Sequence, residues 1–365
     1  MTLAEHFETA GCIPLSLPHL FPAETLLELY GEDLRSRAFL FPGSGIGEEL
    51  ALRPDFTIPV VLEHASLGWP AARRYSYQGP VFRRQEPGSA RPFEYLQAGI
   101  ECIGTDRRPE TDSEVLKLIL SGLEALGVKD GITITTGDLG IPFALLDALE
   151  MPPQRRETLR RHFWRPERFH ALIAEAVAGQ TPPSPLRQEL LRSAGNLIAV
   201  EQLAASKGEI IGARDVTEIV ERARALAALS DLPPMPGEQA GLIEEVLDIR
   251  ADPETALRAL RDLAQSASVD IANALDRLER RLEAIARSGI DTRALVFDAS
   301  FGRSLEYYDG FVFEIVVTER TDLPPLAGGG RYYMMTERLG ASRPVPAAGG
   351  MIRPEAVLSF LEASR

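Results

Sequence analysis

Cysteine is nearly absent from this chain: Cys12 and Cys102 are the only two, and they form no C-x-x-C pair. That scarcity excludes a disulfide-stapled scaffold and a cysteine-based zinc site, and it suits a reducing cytoplasm. Long apolar runs are missing as well. No run of about 18 uncharged apolar residues occurs, so no membrane span is expected. The start, Met1-Thr-Leu-Ala-Glu-His6, lacks the basic-then-apolar layout of a signal peptide. Basic charge is in short supply: 53 acidic residues face 39 basic ones, a net charge of −14. Phosphate contacts supply most of the affinity in nucleic-acid binding, so this balance weighs against a polyanionic partner.

What is present reads as an ordinary globular chain, 45% hydrophobic and 25% charged over 365 residues. That length builds one large domain and a smaller one with ample core. Thr111-Asp-Ser-Glu114 is a capping box, and Val115, Ile119, Gly122 and Leu126 follow at helical spacing up to Gly127. Ile132-Thr-Ile-Thr-Thr136 alternates and is β-branched, which predicts a strand. From about 148 to 290, alanine, leucine, glutamate and arginine dominate, and proline clusters at Thr181-Pro-Pro-Ser-Pro185 and Leu232-Pro-Pro-Met-Pro236 punctuate the run. Ile271, Leu275, Leu278, Leu282 and Ile285 make an apolar stripe on one helix, closed by Gly289. Strand character then returns: Phe311, Phe313, Ile315 and Val317 share a face, with Glu314 on the other. The fold class is α+β, with a core from 1–147 and 291–365 interrupted by a helical insertion at 148–290.

Several segments carry chemistry beyond packing. In Leu52-Arg-Pro-Asp55-Phe-Thr57 the proline forces the residue before it into an extended backbone, which aims Asp55 and Thr57 away from the chain. Tyr77-Gln-Gly-Pro-Val-Phe-Arg83 is followed by Phe93-Glu-Tyr-Leu-Gln97-Ala-Gly-Ile-Glu101. Gln97 and Glu101 are four apart, so on a strand they point to one face. Phe301-Gly-Arg303-Ser-Leu-Glu-Tyr307-Tyr308 and Ala327-Gly-Gly-Gly-Arg331-Tyr332 complete the set. Singly, each has an ordinary explanation: a capping aspartate, a surface ion pair, tyrosines packed in a core. Their joint spacing is far more specific.

Together these motifs resemble the class II aminoacyl-tRNA synthetase family, and within it histidyl-tRNA synthetase. The resemblance implies an antiparallel sheet flanked by helices. It implies histidine-facing roles for Asp55, Thr57, Arg83, Gln97, Glu101, Arg303, Tyr307, Tyr308 and Tyr332. The segment from Phe7 to Pro18 falls where this family dimerises.

The nucleotide side departs from the family. Arg83-Arg-Gln85 stands where the family has Arg-x-Glu for the adenine. Near the end, Glu355-Ala356 stands where the family carries Glu-Arg, whose arginine binds the ATP phosphates. Such a clamp is typically worth roughly 10²–10³ in rate. Arg353 lies three positions off and is expected to project elsewhere. Nine residues after Ala356 are too few for the family's anticodon-binding domain, so none is expected. A chain of this kind resembles the ATP phosphoribosyltransferase regulatory subunits, non-catalytic paralogues of the synthetase. That resemblance implies no catalytic residue, no cofactor, no metal and no tRNA. It also implies a homodimer assembling with a short-form catalytic subunit, histidine as ligand, and a cytoplasmic location. A free-standing histidine-adenylating ligase and a simple histidine-binding module remain open at this point.

Overall fold

Glycine, β-branched and aromatic residues recur in the strands that carry the motifs, and those strands join one sheet. The computed structural model describes residues 2–25, 37–45, 48–85, 89, 91–106, 108–179, 232–302, 308–320, 322–339 and 341–363. The sheet runs β1 (Ile13–Leu15), β5 (Arg73–Phe82), β6 (Glu94–Ile103), β12 (Ala347–Ile352), β11 (Ala327–Tyr332), β10 (Phe311–Val317), β7 (Ile132–Asp138), β9 (Leu295–Asp298) and β8 (Arg250–Ala251), side by side in that order. The β1–β5 and β7–β9 pairs are parallel and the other six antiparallel, as expected for the α+β class. A separate small sheet has the order β2 (Leu20–Pro22), β4 (Glu49–Leu52), β3 (Leu40–Pro42). The helices are α1 (Leu3–Thr9), α2 (Thr57–Ser66), α3 (Arg108–Ala125), α4 (Gly140–Ala148), α5 (Pro153–His162), α6 (Pro166–Ala178), α7 (Gly237–Leu247), α8 (Pro253–Ser266), α9 (Ala272–Arg287), α10 (Met334–Arg338) and α11 (Pro354–Ala363).

Alternation along β6 decides what each face of the sheet does. Ala98, Ile100 and Cys102 join Leu3 and Phe7 of α1 and Val115, Leu116 and Ile119 of α3 in the main core cluster. Gln97 and Glu101 face the other way. On that side α2 is fastened by His64, whose Nδ1 lies 2.9 Å from the Tyr75 hydroxyl on β5.

Helix α3 starts a turn before the Thr111 capping box. Pro109 sits in its first turn, where a missing N–H costs nothing and the fixed φ already suits a helix. Thr111 and Ser113 are thereby drawn inside the helix and buried. The Ser113 hydroxyl donates to the Ala284 carbonyl of α9 at 3.0 Å. At the other end Gly127, with φ of +101°, takes the left-handed turn that closes the helix.

The chain divides into two compact units, Met1–Ala144 with Val246–Arg365, and Leu145–Glu245. Residues 246–290, which composition grouped with the helical stretch, belong to the first unit. The reason is the α9 stripe: Ile271, Leu275, Leu278, Leu282 and Ile285 are all buried, and Ile285 joins the core cluster of α3. In the second unit Phe163 meets Phe169 edge to face at 5.5 Å, and Arg155 donates to the Pro233 carbonyl at 2.6 Å. The proline cluster at 181–185 lies outside the described residues. Among the described residues no helix is long and apolar enough to cross a membrane.

A charged quartet is buried in the first unit. Asp112 of α3, wholly inaccessible, accepts from the Arg281 Nε at 2.7 Å and from the Arg331 Nε at 2.6 Å. Arg281 also donates to Asp138 at 2.5 Å. Two arginines and two aspartates cancel, which is the condition for burying charge without a prohibitive desolvation cost.

Candidate functional site

The hairpin of β5 and β6 carries the site, with β12 and β11 beside it. Six of the residues singled out from the sequence line one cavity: Asp55, Thr57, Arg83, Gln97, Glu101 and Tyr308, with Tyr77 and the backbone of Gly328, Gly349 and Gly350. Tyr332 is bonded to Glu101 from β11. Arg303 and Tyr307 lie outside the described residues. The cavity encloses about 300 Å³ of space between protein atoms, mouth included, of which about 20 Å³ admits the centre of a water molecule. A ligand the size of an amino acid therefore enters only as side chains give way.

Glu101 is the centre of the cavity and is 1% exposed. Its carboxyl accepts from the Thr57 hydroxyl at 2.8 Å and from the Tyr332 hydroxyl at 2.7 Å. Burial pushes its pKa up to about 8; the two hydroxyl bonds pull the other way without prevailing, and the nearby Asp55 adds to the rise. At neutral pH Glu101 thus holds a proton most of the time. Gly349 explains how the carboxyl fits: a Cβ there would stand 1.7 Å from a Glu101 oxygen.

Asp55 and Arg83 form the polar end. The Asp55 Oδ1 accepts from the Thr57 N–H at 3.0 Å, fixing the start of α2. Arg83 donates from Nε to the Pro54 carbonyl at 2.7 Å and approaches Asp55 at 3.9 Å. Tyr308 and Tyr332 meet edge to face at 6.4 Å and supply an aromatic wall. Two carboxyl groups, a guanidinium, an amide and aromatic rings in one buried space suit a small ligand with a cationic end, an anionic end and a flat ring.

Two supporting residues are not legible in the motifs. Arg53 is buried and donates to the carbonyls of Pro80, Leu17 and Pro18 at 2.9, 2.7 and 2.9 Å while its guanidinium lies 4.0 Å over Phe56. Burial lowers its pKa to about 10. It ties the Asp55 segment to β5. Tyr77 stacks on Phe56 at 4.4 Å and lies opposite Gly99, where a Cβ would come within 2.5 Å of its hydroxyl. Only the β5–β6 register reveals that fit; the one sequence signal is a glycine between Gln97 and Glu101.

The nucleotide side is occupied by internal contacts. Gln85 donates from Nε2 to the Pro92 carbonyl at 3.0 Å, a bond that a glutamate could not make. Glu355 accepts from the Leu96 N–H at 3.1 Å, and Ala356 is buried in the core cluster. Arg353 donates from Nη1 to the Pro325 carbonyl at 2.6 Å, and its guanidinium and that of Arg83 each lie 6.0 Å from the Tyr95 ring.

Residues 1–357 match the histidyl-tRNA synthetase family. A protein of Brucella anthropi described as an ATP phosphoribosyltransferase regulatory subunit is 35% identical over 92% of this chain and 89% of its own length. One of the same description from Brucella canis is also 35% identical over 92% of this chain and 89% of its own length. Among solved structures, an ATP phosphoribosyltransferase regulatory subunit/histidyl-tRNA synthetase from Bacillus halodurans superposes with a TM-score of 0.66 at 20% identity, covering 98% of this chain and 77% of that one. Histidyl-tRNA synthetase from Nostoc gives a TM-score of 0.64 at 17% identity, over 99% and 70%. At such identities the likeness of structure speaks to the fold.

Proposed function

The chain belongs to the family of ATP phosphoribosyltransferase regulatory subunits, built on the histidyl-tRNA synthetase fold, and from that premise we propose that its Glu101 cavity senses histidine and adjusts a separate catalytic subunit. It is a regulatory subunit in histidine biosynthesis and not an aminoacylating enzyme. The observation that carries the histidine reading is Glu101, buried, held by Thr57 and Tyr332 and close to the Asp55 charge. A carboxyl group of raised pKa needs a cation to ionise, and the ammonium or imidazolium of histidine supplies one. Arg83 takes the α-carboxylate, and Tyr308 and Tyr332 flank the ring. Arg303 and Tyr307 complete the proposed set.

The partner is a short-form phosphoribosyltransferase chain, met in the cytoplasm as part of a larger hetero-oligomer. A homodimer of this chain forms its centre. The exposed apolar side chains of Ile13, Leu20 and Phe41, on strands β1, β2 and β3, support a self-association face near the Phe7–Pro18 segment. For histidine to inhibit through this subunit, it must bind the inactive assembly more tightly than the active one. A tenfold preference needs about 1.4 kcal/mol, within reach of a single charge-assisted contact.

The test mixes the purified chain with a short phosphoribosyltransferase subunit and follows sedimentation and phosphoribosyl transfer, with and without histidine. Co-sedimentation, a raised rate and suppression by histidine are expected, with Glu101→Gln keeping assembly and losing the suppression. Failure to co-sediment, with no change in rate, leaves only a simple binding module. Histidine-dependent ATP–pyrophosphate exchange above a no-protein blank would reinstate the ligase.

A further inference from the structure

Helix α2 carries Thr57 at its start and His64 two turns later, on the same face. Thr57 bonds Glu101, and His64 fastens the helix to β5. The His64 imidazole is wholly inaccessible, and its Nδ1 lies 2.9 Å from the Tyr75 hydroxyl. The oxygen of that hydroxyl accepts from Arg73 on the same strand, so its own proton points to Nδ1. His64 is then the neutral tautomer with its hydrogen on Nε2. Among the described residues Nε2 has no hydrogen-bond partner. Trp69 covers the ring, meeting it edge to face at 5.8 Å. It does so from a left-handed backbone, with φ of +53° at Trp69 and +78° at Gly68. Glycine adopts that conformation freely and a bulky residue rarely does, so Trp69 is kept there by its contacts.

A second proton has no place in this arrangement. Imidazolium donates from both nitrogens. Its Nδ1–H would meet the Tyr75 proton, and its Nε2–H would bring charge into a dry space. The charged and titratable groups around it are Arg73 and Tyr75 of β5, Glu63 beside it on α2, and Glu101 of β6, opposite Tyr75 in the sheet. Glu101 is protonated at neutral pH and bonded to Thr57 and Tyr332. The negative end of the α2 dipole favours imidazolium. Burial, and after it the Arg73 charge, act against it and prevail, holding the His64 pKa below its ordinary 6.5.

We propose that His64 and Trp69 form a proton-sensitive latch on α2. Neutral His64 keeps the helix on β5. Once protonated it turns out to water, Trp69 leaves its strained seat, and Thr57 loosens from Glu101. Stability from the latch is complete above 6.5 and declines as pH falls below it, because the unfolded chain takes up the proton first. The latch acts on α2 with or without a ligand, so it stands or falls apart from the histidine reading.

The test uses the full chain carrying Trp164→Phe, which leaves Trp69 as its sole tryptophan. As pH is lowered from about 8 to about 5, Trp69 emission should shift to the red in a one-proton transition with its midpoint below 6.5. Deuterium uptake over Thr57–Ser66, relative to the rest of the first unit at the same pH, should rise with it. His64→Asn keeps an acceptor for Tyr75 and does not titrate, so it should show neither change. Arg73 is exposed, so Arg73→Gln should fold as the parent does. It keeps a donor for Tyr75 and removes the opposing charge, which should move the midpoint to higher pH. This arm decides by itself if His64→Asn does not fold. The proposal falls if emission and uptake stay level down to global acid unfolding, if His64→Asn retains the transition, or if Arg73→Gln leaves the midpoint where it was.

Discussion

Buried as it is, Glu101 carries a proton at neutral pH. With its pKa at about 8, binding of a cationic amine near pH 7 should expel up to about one proton per chain. Calorimetric heats of histidine binding should therefore differ between buffers of high and low ionisation enthalpy, and Glu101→Gln should erase the difference. Equal heats in both buffers would contradict the assignment. The same shift acts on stability. Below the ordinary value of 4.5 both folded and unfolded chains hold the proton, and from there up to about 8 only the folded chain does. Stability should thus fall as pH rises through that window and level off above it. Denaturant titrations of Glu101→Gln should lack this slope. At this scale the sequence was informative where spacing alone fixes direction, as for Gln97 and Glu101. It was silent on Arg53 and Tyr77, whose roles depend on carbonyls and a glycine brought from other segments.

Strands β11 and β12 shape the cavity by what their glycines leave out. Gly349→Ala would force a methyl group against the Glu101 carboxyl. We expect a loss of about 1–3 kcal/mol in stability together with loss of histidine binding; a variant that binds as the parent does would show that the carboxyl can move aside. The glycine run from Gly328 to Gly330 was visible as part of a motif. Its neighbours were not, because the pairing of Gly349 with Glu101 across β6 and β12 is a matter of register. Helices gave a similar lesson. The α9 stripe announced a buried face, whereas the start of α3 was misplaced by a turn because a capping box and an N-terminal proline competed, and the proline prevailed.

On the scale of the molecule, the α+β class was legible from composition and period, as were the helices α5 to α9 among the described residues of the middle stretch; the short strand β8 within it was not. The boundary at Val246 was not, since a helix packed on its own unit and one set apart from it have the same texture. What holds the first unit together is clearest in the buried quartet. Asp112→Ala should strand Arg331 without a counter-charge, leave Arg281 with Asp138 alone, and cost about 3–5 kcal/mol in chemical denaturation. A loss below about 1 kcal/mol would mean that water reaches the arginines. Asp112 lies 169 residues from Arg281 and 219 from Arg331, and no local stretch of chain satisfies it. Fraying one segment by itself would leave a bare charge in a dry interior, so partial openings should be rare there. Deuterium should consequently enter the backbone amides around Asp112, Asp138, Arg281 and Arg331 at one common, slowest rate, set by the opening of the whole unit.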